Sequence, residues 1–165
     1  MVKIKPKAKL AVAGIIEKQK YVEDFQKMVS RYSLSKNIVF LGEQKESSLR
    51  NLVKSSKLTL NPSMLDPFSL VTLESLACGI PVVAYNIPAI KNIFGLCDAV
   101  LRCPIGGMAS MAKNVQFLLE NEDLRTKLSK EAREYASNYD WRKVIRAEKE
   151  AYFKVIRWFI SHTGR

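Results

Sequence analysis

The chain has one histidine, His162, near its C-terminus. That argues against a catalytic triad and against a histidine-rich metal site, and no metal ligand is expected. Its three cysteines, Cys78, Cys97 and Cys103, are odd in number and form no C-x-x-C pair. A disulfide framework and a zinc site are both disfavoured, and reduced packing residues are expected. Neither a G-x-G-x-x-G loop nor a Walker lysine is present, so phosphate would not sit in a standard dinucleotide or P-loop cradle. No apolar run approaches the ~20 residues needed to cross a bilayer. The opening "MVKIKPKAKL" has lysines but no apolar signal-peptide core, so a cytoplasmic location is expected.

Acidic residues are scarce, 16 against 27 basic, and the resulting charge of +11 is unevenly placed. Residues 1–9 carry +4, residues 141–165 carry +5 (seven basic, two acidic), and only +2 is left between them. Basic ends suit phosphate-rich partners, meaning anionic lipid headgroups or nucleic acid; solvated faces are the plainer alternative. With 165 residues, 47% of them hydrophobic, the chain is one domain with a real core. Chemistry that needs a cleft between two domains would have to borrow the other half.

Strand and helix patterns alternate. "AKLAVAGII" (8–16) is an apolar run of strand length, and "YVEDFQKMVSRYSL" (21–34) has helical spacing. Strands follow at 37–42, 57–63, 80–86 and 99–103, separated by helices at 46–56, 67–79 and 88–94. The strands are too apolar to have a wet face. They predict a doubly wound, three-layer α/β/α domain with a parallel sheet covered on both sides. From 107 onward the pattern is helical throughout. In such sheets ligands bind beyond the carboxyl ends of the strands, here the loops 14–20, 42–46, 62–69 and 86–90.

The most informative stretch is "LNPSMLDPFSLVTLESLACG", which runs from strand into helix with a first turn expected near Pro67 to Leu70. Free backbone N–H groups at a helix start make an anion site. Asp66 before Pro67 has a plain reading as an N-cap. Glu74 is expected to lie among Leu70, Val71, Ala77 and Cys78, on a surface too apolar to leave a carboxylate without partners. Sugar hydroxyls would suit it, because an ionised carboxylate only accepts and can take both hydroxyls of a vicinal diol. Gly79 and Pro81 read as a helix stop.

"NPSMLDPFSLVTLESLACGIPVVAYNIPAIKNIF" resembles the "PS…E-G-F-G-L…E-A-x-A-x-G-x-P-V-V-A" segment of the group 1 retaining glycosyltransferases, which have the GT-B architecture of two facing Rossmann-like domains. "NIVFLGEQKESSLRNLVKSSKLTLNPS" is similar to that family's "V-x-F-L-G" strand and helix, and "SNYDWRKVIRAEKEAYFKV" to its "F-S-W" tail. Together these cover nearly all of the chain, in the family's order. The resemblance implies a Rossmann-like donor-binding domain spanning 1–165, the C-terminal half of a GT-B enzyme. It would transfer a hexose from a nucleotide-diphosphate sugar to a glycan or lipid-linked acceptor, with retention and without a cofactor.

By the same resemblance Asp66 would contact sugar hydroxyls, and Glu74 the ribose. The backbone at Phe68, Ser69, Leu70 and Val71 would hold sugar and diphosphate, and the loop at Gly42 and Glu43 would lie against the base. Asp66 is one methylene shorter than the family's glutamate, and Ser69 replaces its second glycine, so the geometry could suit a different sugar. The family's first strand and helix, with their cationic clamp, and its N-terminal acceptor domain are absent from this sequence. Lys18 or Lys20 is the substitute clamp on offer, and the isolated chain is expected to be inert. The basic, aromatic C-terminal helix suits peripheral contact with a membrane, or packing on this or the missing domain. The rival readings are a non-catalytic Rossmann-like module for nucleotide or nucleic acid, and a fragment of a GT-B epimerase or phosphorylase. No aromatic-plus-basic RNA motif is present, so a nucleic-acid partner is not expected.

Overall fold

The structure, a computed structural model, describes residues 8–15 and 18–163. The lysine-rich residues 1–7, the expected end of the first strand at Ile16 and residues 164–165 lie outside the described residues. Five strands alternate with helices: β1 (Leu10–Ala13), α1 (Gln19–Arg31), β2 (Ile38–Gly42), α2 (Glu46–Ser55), β3 (Thr59–Asn61), α3 (Leu70–Ala77), β4 (Val82–Tyr85), α4 (Pro88–Phe94) and β5 (Val100–Cys103). Three helices follow: α5 (Met108–Glu120), α6 (Glu122–Ala136) and, after a 3-10 turn at Ser137–Tyr139, α7 (Trp141–Thr163).

All strand pairings are parallel, which requires a crossover between neighbours; helices α1, α3 and α4 supply them. The strands form two hydrogen-bonded groups, β1-β2 and β3-β4-β5, where the sequence suggested one sheet. Leu10 lies opposite Ile38 in the first group, and Val82 lies opposite both Thr59 and Val100 in the second.

The expectation that no strand has a wet face holds for β4, buried along its whole length, and fails for β2. Val39 is 49% exposed and Phe40 37%. Among the described residues β1 pairs only with β2 and β3 only with β4, so the ladder stops between the groups. Helices α1 and α2 then bury little against the first group: one residue, Val22, in α1 and none in α2. The core belongs to the second group, where Leu76, Val82, Ile87, Ile90, Phe94 and Leu118 are at most 1% exposed. Removing such side chains from water is the main stabilising term for this half of the molecule.

Helices α5 and α6 close that core, with Leu118, Leu128 and Ala132 buried. Polar ties fix α6 in place: Glu131 Oε1 accepts the backbone N–H of Asp98 at 2.5 Å, and the Tyr135 hydroxyl donates to the Ile93 carbonyl. Burial, then the bond to Tyr139, raises the Tyr135 phenol above its ordinary value.

The turn after α3 is a Schellman motif. Gly79 adopts φ +78°, its N–H donates to the Leu76 carbonyl at 2.8 Å, and the Ile80 N–H donates to the Ser75 carbonyl at 2.9 Å. The helix stop read from Gly79 is therefore present, one position past the capping residue Cys78.

Candidate functional site

The segment between β3 and α3 is organised by side chains that its own sequence supplies. Asn61, the last residue of β3, is buried and donates from Nδ2 to Ser69 Oγ (2.7 Å) and Thr72 Oγ1 (3.1 Å). Ser69 Oγ donates in turn to Thr72 Oγ1 at 2.8 Å, and Asn61 Oδ1 accepts the Ser63 N–H at 3.2 Å. Ser69 is wholly buried and left-handed, with φ 66° and ψ 59°. An L-residue is disfavoured there relative to glycine, and the buried hydrogen bonds offset that strain.

Asp66 does not cap a helix that starts at Pro67. Its Oδ1 accepts the backbone N–H groups of Phe68 (3.1 Å) and Ser69 (2.6 Å), closing a turn three residues before the helix proper. The helix begins at Leu70, because Ser69 in the left-handed region cannot belong to it. Two of the four backbone donors expected for a ligand are thus held by Asp66. The other two, at Leu70 and Val71, take no partner among the described residues, since the first bonds into the helix come from Thr72 and Leu73 to the Ser69 carbonyl.

Glu74 lies one turn further along α3. It is exposed, and among the described residues it makes no hydrogen bond or ion pair. Glu74 is not on the dry apolar surface expected for it: Leu70 (61% exposed) and Val71 (54%) are themselves in solvent, so a charged Glu74 incurs little penalty. The carboxylate is open to an outside partner.

Phe68 is half-buried and meets Tyr139 edge to face at 6.2 Å between centroids, which ties the loop to the 3-10 turn before α7. Gly42 (φ +63°) ends β2 and Glu43 follows it, in the other strand group, where the Gly42 carbonyl accepts the Gly14 N–H at 2.9 Å. Lys18 places its ammonium 5.8 Å from the centre of the Tyr21 ring and Lys20 is exposed. Two shallow cavities, each of about 410 Å³, lie along α7 and beside Gly14, Lys18 and Phe40; neither is lined by Asp66 or Glu74.

The site is therefore a pair of free N–H groups at the start of α3, with one carboxylate before it and another a turn along it. N–H groups at a helix start attract an anion, and carboxylates accept hydroxyls. The sequence reading missed Asn61 and Thr72. The signal for them was a run of short polar side chains at a strand end and inside an otherwise apolar helix.

Residues 1–135 match the family described as "Glycosyl transferases group 1". Among curated proteins the chain is 27% identical over 131 residues to the N-acetyl-alpha-D-glucosaminyl L-malate synthase of Bacillus anthracis, which covers 79% of this chain and 34% of that protein. Among solved structures it is similar to Anabaena Alr3699/HepE in complex with UDP-glucose, with a TM-score of 0.84, 20% identity, and coverage of 93% of this chain and 43% of that one. The sucrose-phosphate synthase of Thermosynechococcus elongatus gives a TM-score of 0.82 at 21% identity, covering 92% of this chain and 39% of the other. At such identities the structural likeness shows a shared fold. The chain spans about a third of the length of the malate synthase relative.

Proposed function

The chain belongs to the group 1 glycosyl transferases, and from that membership we propose that it is the donor-binding part of a hexosyltransferase. A nucleotide-diphosphate sugar is the donor and a glycan or lipid-linked molecule the acceptor. An N-terminal acceptor domain completes the enzyme, transfer retains the anomeric configuration, and no cofactor takes part. The work is done in the cytoplasm, at the inner face of the membrane when the acceptor is a lipid.

One observation carries this reading: two unpaired N–H groups, at Leu70 and Val71, with Asp66 before them and the exposed Glu74 a turn beyond. In the proposed roles Leu70 and Val71 donate to the diphosphate, Glu74 accepts the ribose hydroxyls, and Asp66 holds the turn and presents its second oxygen to the sugar. The loop at Gly42 and Glu43 meets the base. As the glycosidic bond to the diphosphate breaks, negative charge grows on the leaving oxygen. Donors fixed in advance by the Asn61, Ser69 and Thr72 bonds stabilise that charge without reorganising. Phe68 and Ser69 could donate to a ligand only by releasing Asp66.

The test is a binding screen of UDP, GDP and ADP and their sugar conjugates against the chain and its Glu74→Ala variant, by thermal shift and ligand-observed NMR. Selective binding of one diphosphate, weakened about tenfold or more without the carboxylate, is expected. Equal and salt-sensitive binding of all three, unchanged in Glu74→Ala, would sink the reading and favour a general polyanion-binding module.

A further inference from the structure

Phe68 is held at both ends. Its backbone N–H donates to Asp66 Oδ1 at 3.1 Å, and its ring meets Tyr139 edge to face, with an interplanar angle of 74°. The hydrogen bonds of the β3–α3 loop described above close within residues 61–72, whereas the Phe68 ring reaches a residue that follows α6. Tyr139 is half-buried and braced from behind. Its ring lies 5.8 Å from that of Tyr135, and the two hydroxyls are 3.4 Å apart. Tyr135 is anchored in turn, its hydroxyl donating to the Ile93 carbonyl and its ring 6.1 Å from that of Phe94, which is wholly buried. A row of four rings therefore runs from the core at α4 to the loop that opens α3.

We propose that Tyr139 is a positioning residue for the donor site: by bracing the Phe68 ring it holds the Asp66 turn closed, and with it the direction of the free N–H groups at Leu70 and Val71. Phe68 immediately precedes Ser69, whose left-handed backbone (φ 66°, ψ 59°) sets where α3 begins. A strained residue persists only where its surroundings over-determine it, and relaxation at Ser69 would turn the next two N–H groups away. Asp66 and Asn61 oppose that relaxation from inside the segment. Tyr139 opposes it from outside, and because its ring is anchored to the core the contact acts against a fixed point. An edge-to-face pair adds a directional attraction to the area that it buries. Donors aimed in advance stabilise an anion better than donors that must first be gathered. The functional half of this inference rests on the donor reading above; the hold on the loop is measured without ligand.

Amide hydrogen exchange of the 165-residue chain is followed by NMR. Tyr139→Ala should speed exchange of the Phe68 and Ser69 N–H groups about two- to tenfold, the range of one aromatic pair. That rise should exceed any at the Val82 N–H, which is bonded to the Ala99 carbonyl at 2.8 Å in the core. Phe68→Leu should act alike from the other side of the contact, and combining the two should add little. Tyr139→Phe keeps the ring and should match the parent. Tyr135→Phe is the stability control: it loses the bond to Ile93 and keeps its ring, so it should lower the thermal midpoint without a selective effect on the loop. UDP, GDP and ADP are then titrated against each variant. The diphosphate that binds the parent should bind Tyr139→Ala more weakly by the same factor, and Tyr139→Phe equally well. Exchange at Val82 rising as much as at Ser69 would make Tyr139 a general packing residue and overturn the inference, as would unchanged loop exchange in a folded Tyr139→Ala. Selective loop exchange with undiminished diphosphate affinity would overturn the positioning role. A parent that binds none of the three would overturn the donor reading, while the exchange rates still decide whether Tyr139 holds the loop.

Discussion

The Asp66 carboxylate accepts the backbone N–H of Ser69 at 2.6 Å, and that bond separates the β3–α3 loop from the helix that follows. It leaves α3 to begin at Leu70 with two free donors instead of four. It also gives Asp66 a structural role beside any contact with a ligand. Asp66→Ala removes the acceptor of two N–H groups and should lower stability by about 1–2 kcal/mol. Asp66→Asn, which keeps an acceptor oxygen, should recover most of it. Urea unfolding of both variants checks the ordering, and a neutral Asp66→Ala would show that the turn holds without its carboxylate.

Glu74 should separate stability from binding. Because it is exposed and has no partner among the described residues, Glu74→Gln should leave the unfolding free energy within about 0.5 kcal/mol of the parent. Donor affinity should fall about tenfold or more in the same variant, through loss of charge-assisted bonds. Calorimetric titration beside urea unfolding measures both. A large loss of stability would mean that Glu74 has an internal role instead.

Ser69 should be hard to replace in either direction. Ser69→Ala keeps the left-handed strain of φ +66° and strips partners from buried Asn61 and Thr72, at a cost of about 1–3 kcal/mol. Ser69→Gly loses the same bonds but regains about 1 kcal/mol by relieving the backbone. The expected order of unfolding midpoints is parent, then glycine, then alanine. Glycine above the parent would show that the hydroxyl network contributes less than the strain it accompanies.

Cys97 links stability to alkaline pH. Burial raises its thiol from 9.0 to about 11. The folded state therefore holds the proton more tightly than the unfolded chain. This contribution, about 2–3 kcal/mol at most, is fully present below pH ~9 and is lost as pH rises towards ~11. Stability of the parent should decline more steeply across that window than stability of Cys97→Ala, and parallel slopes would contradict it. In the native protein a thiol reagent should modify half-buried Cys78 first, with Cys97 and Cys103 waiting for unfolding.

Much of this was readable in the sequence because it depends on near neighbours. The apolar runs at 37–42 and 80–86 contain β2 and β4, Pro88 opens α4, and Gly79 supplies the left-handed residue that ends α3. Asp66 and Glu74 stood out through their spacing around one helix start. The Asn61, Ser69 and Thr72 network was not readable in that way. Its members are up to eleven residues apart, and each alone is an ordinary polar side chain. Its effect, a left-handed serine that delays the helix from Pro67 to Leu70, exists only once all three are buried together.

Composition and hydrophobic period alone determined that strands and helices alternate and that a carboxylate-flanked helix start follows the third strand, because each follows from forces acting within a dozen or so residues; parallel pairing then follows from the alternation, since a helix between two strands makes the crossover. Only the tertiary structure decided which strands share a ladder, which faces are dry and which donors are free. The ladder divides between β1 and β3, the core gathers under α5 and α6, and α7 remains uncovered. Burial is a property of what one segment packs against, and no segment carries that information by itself.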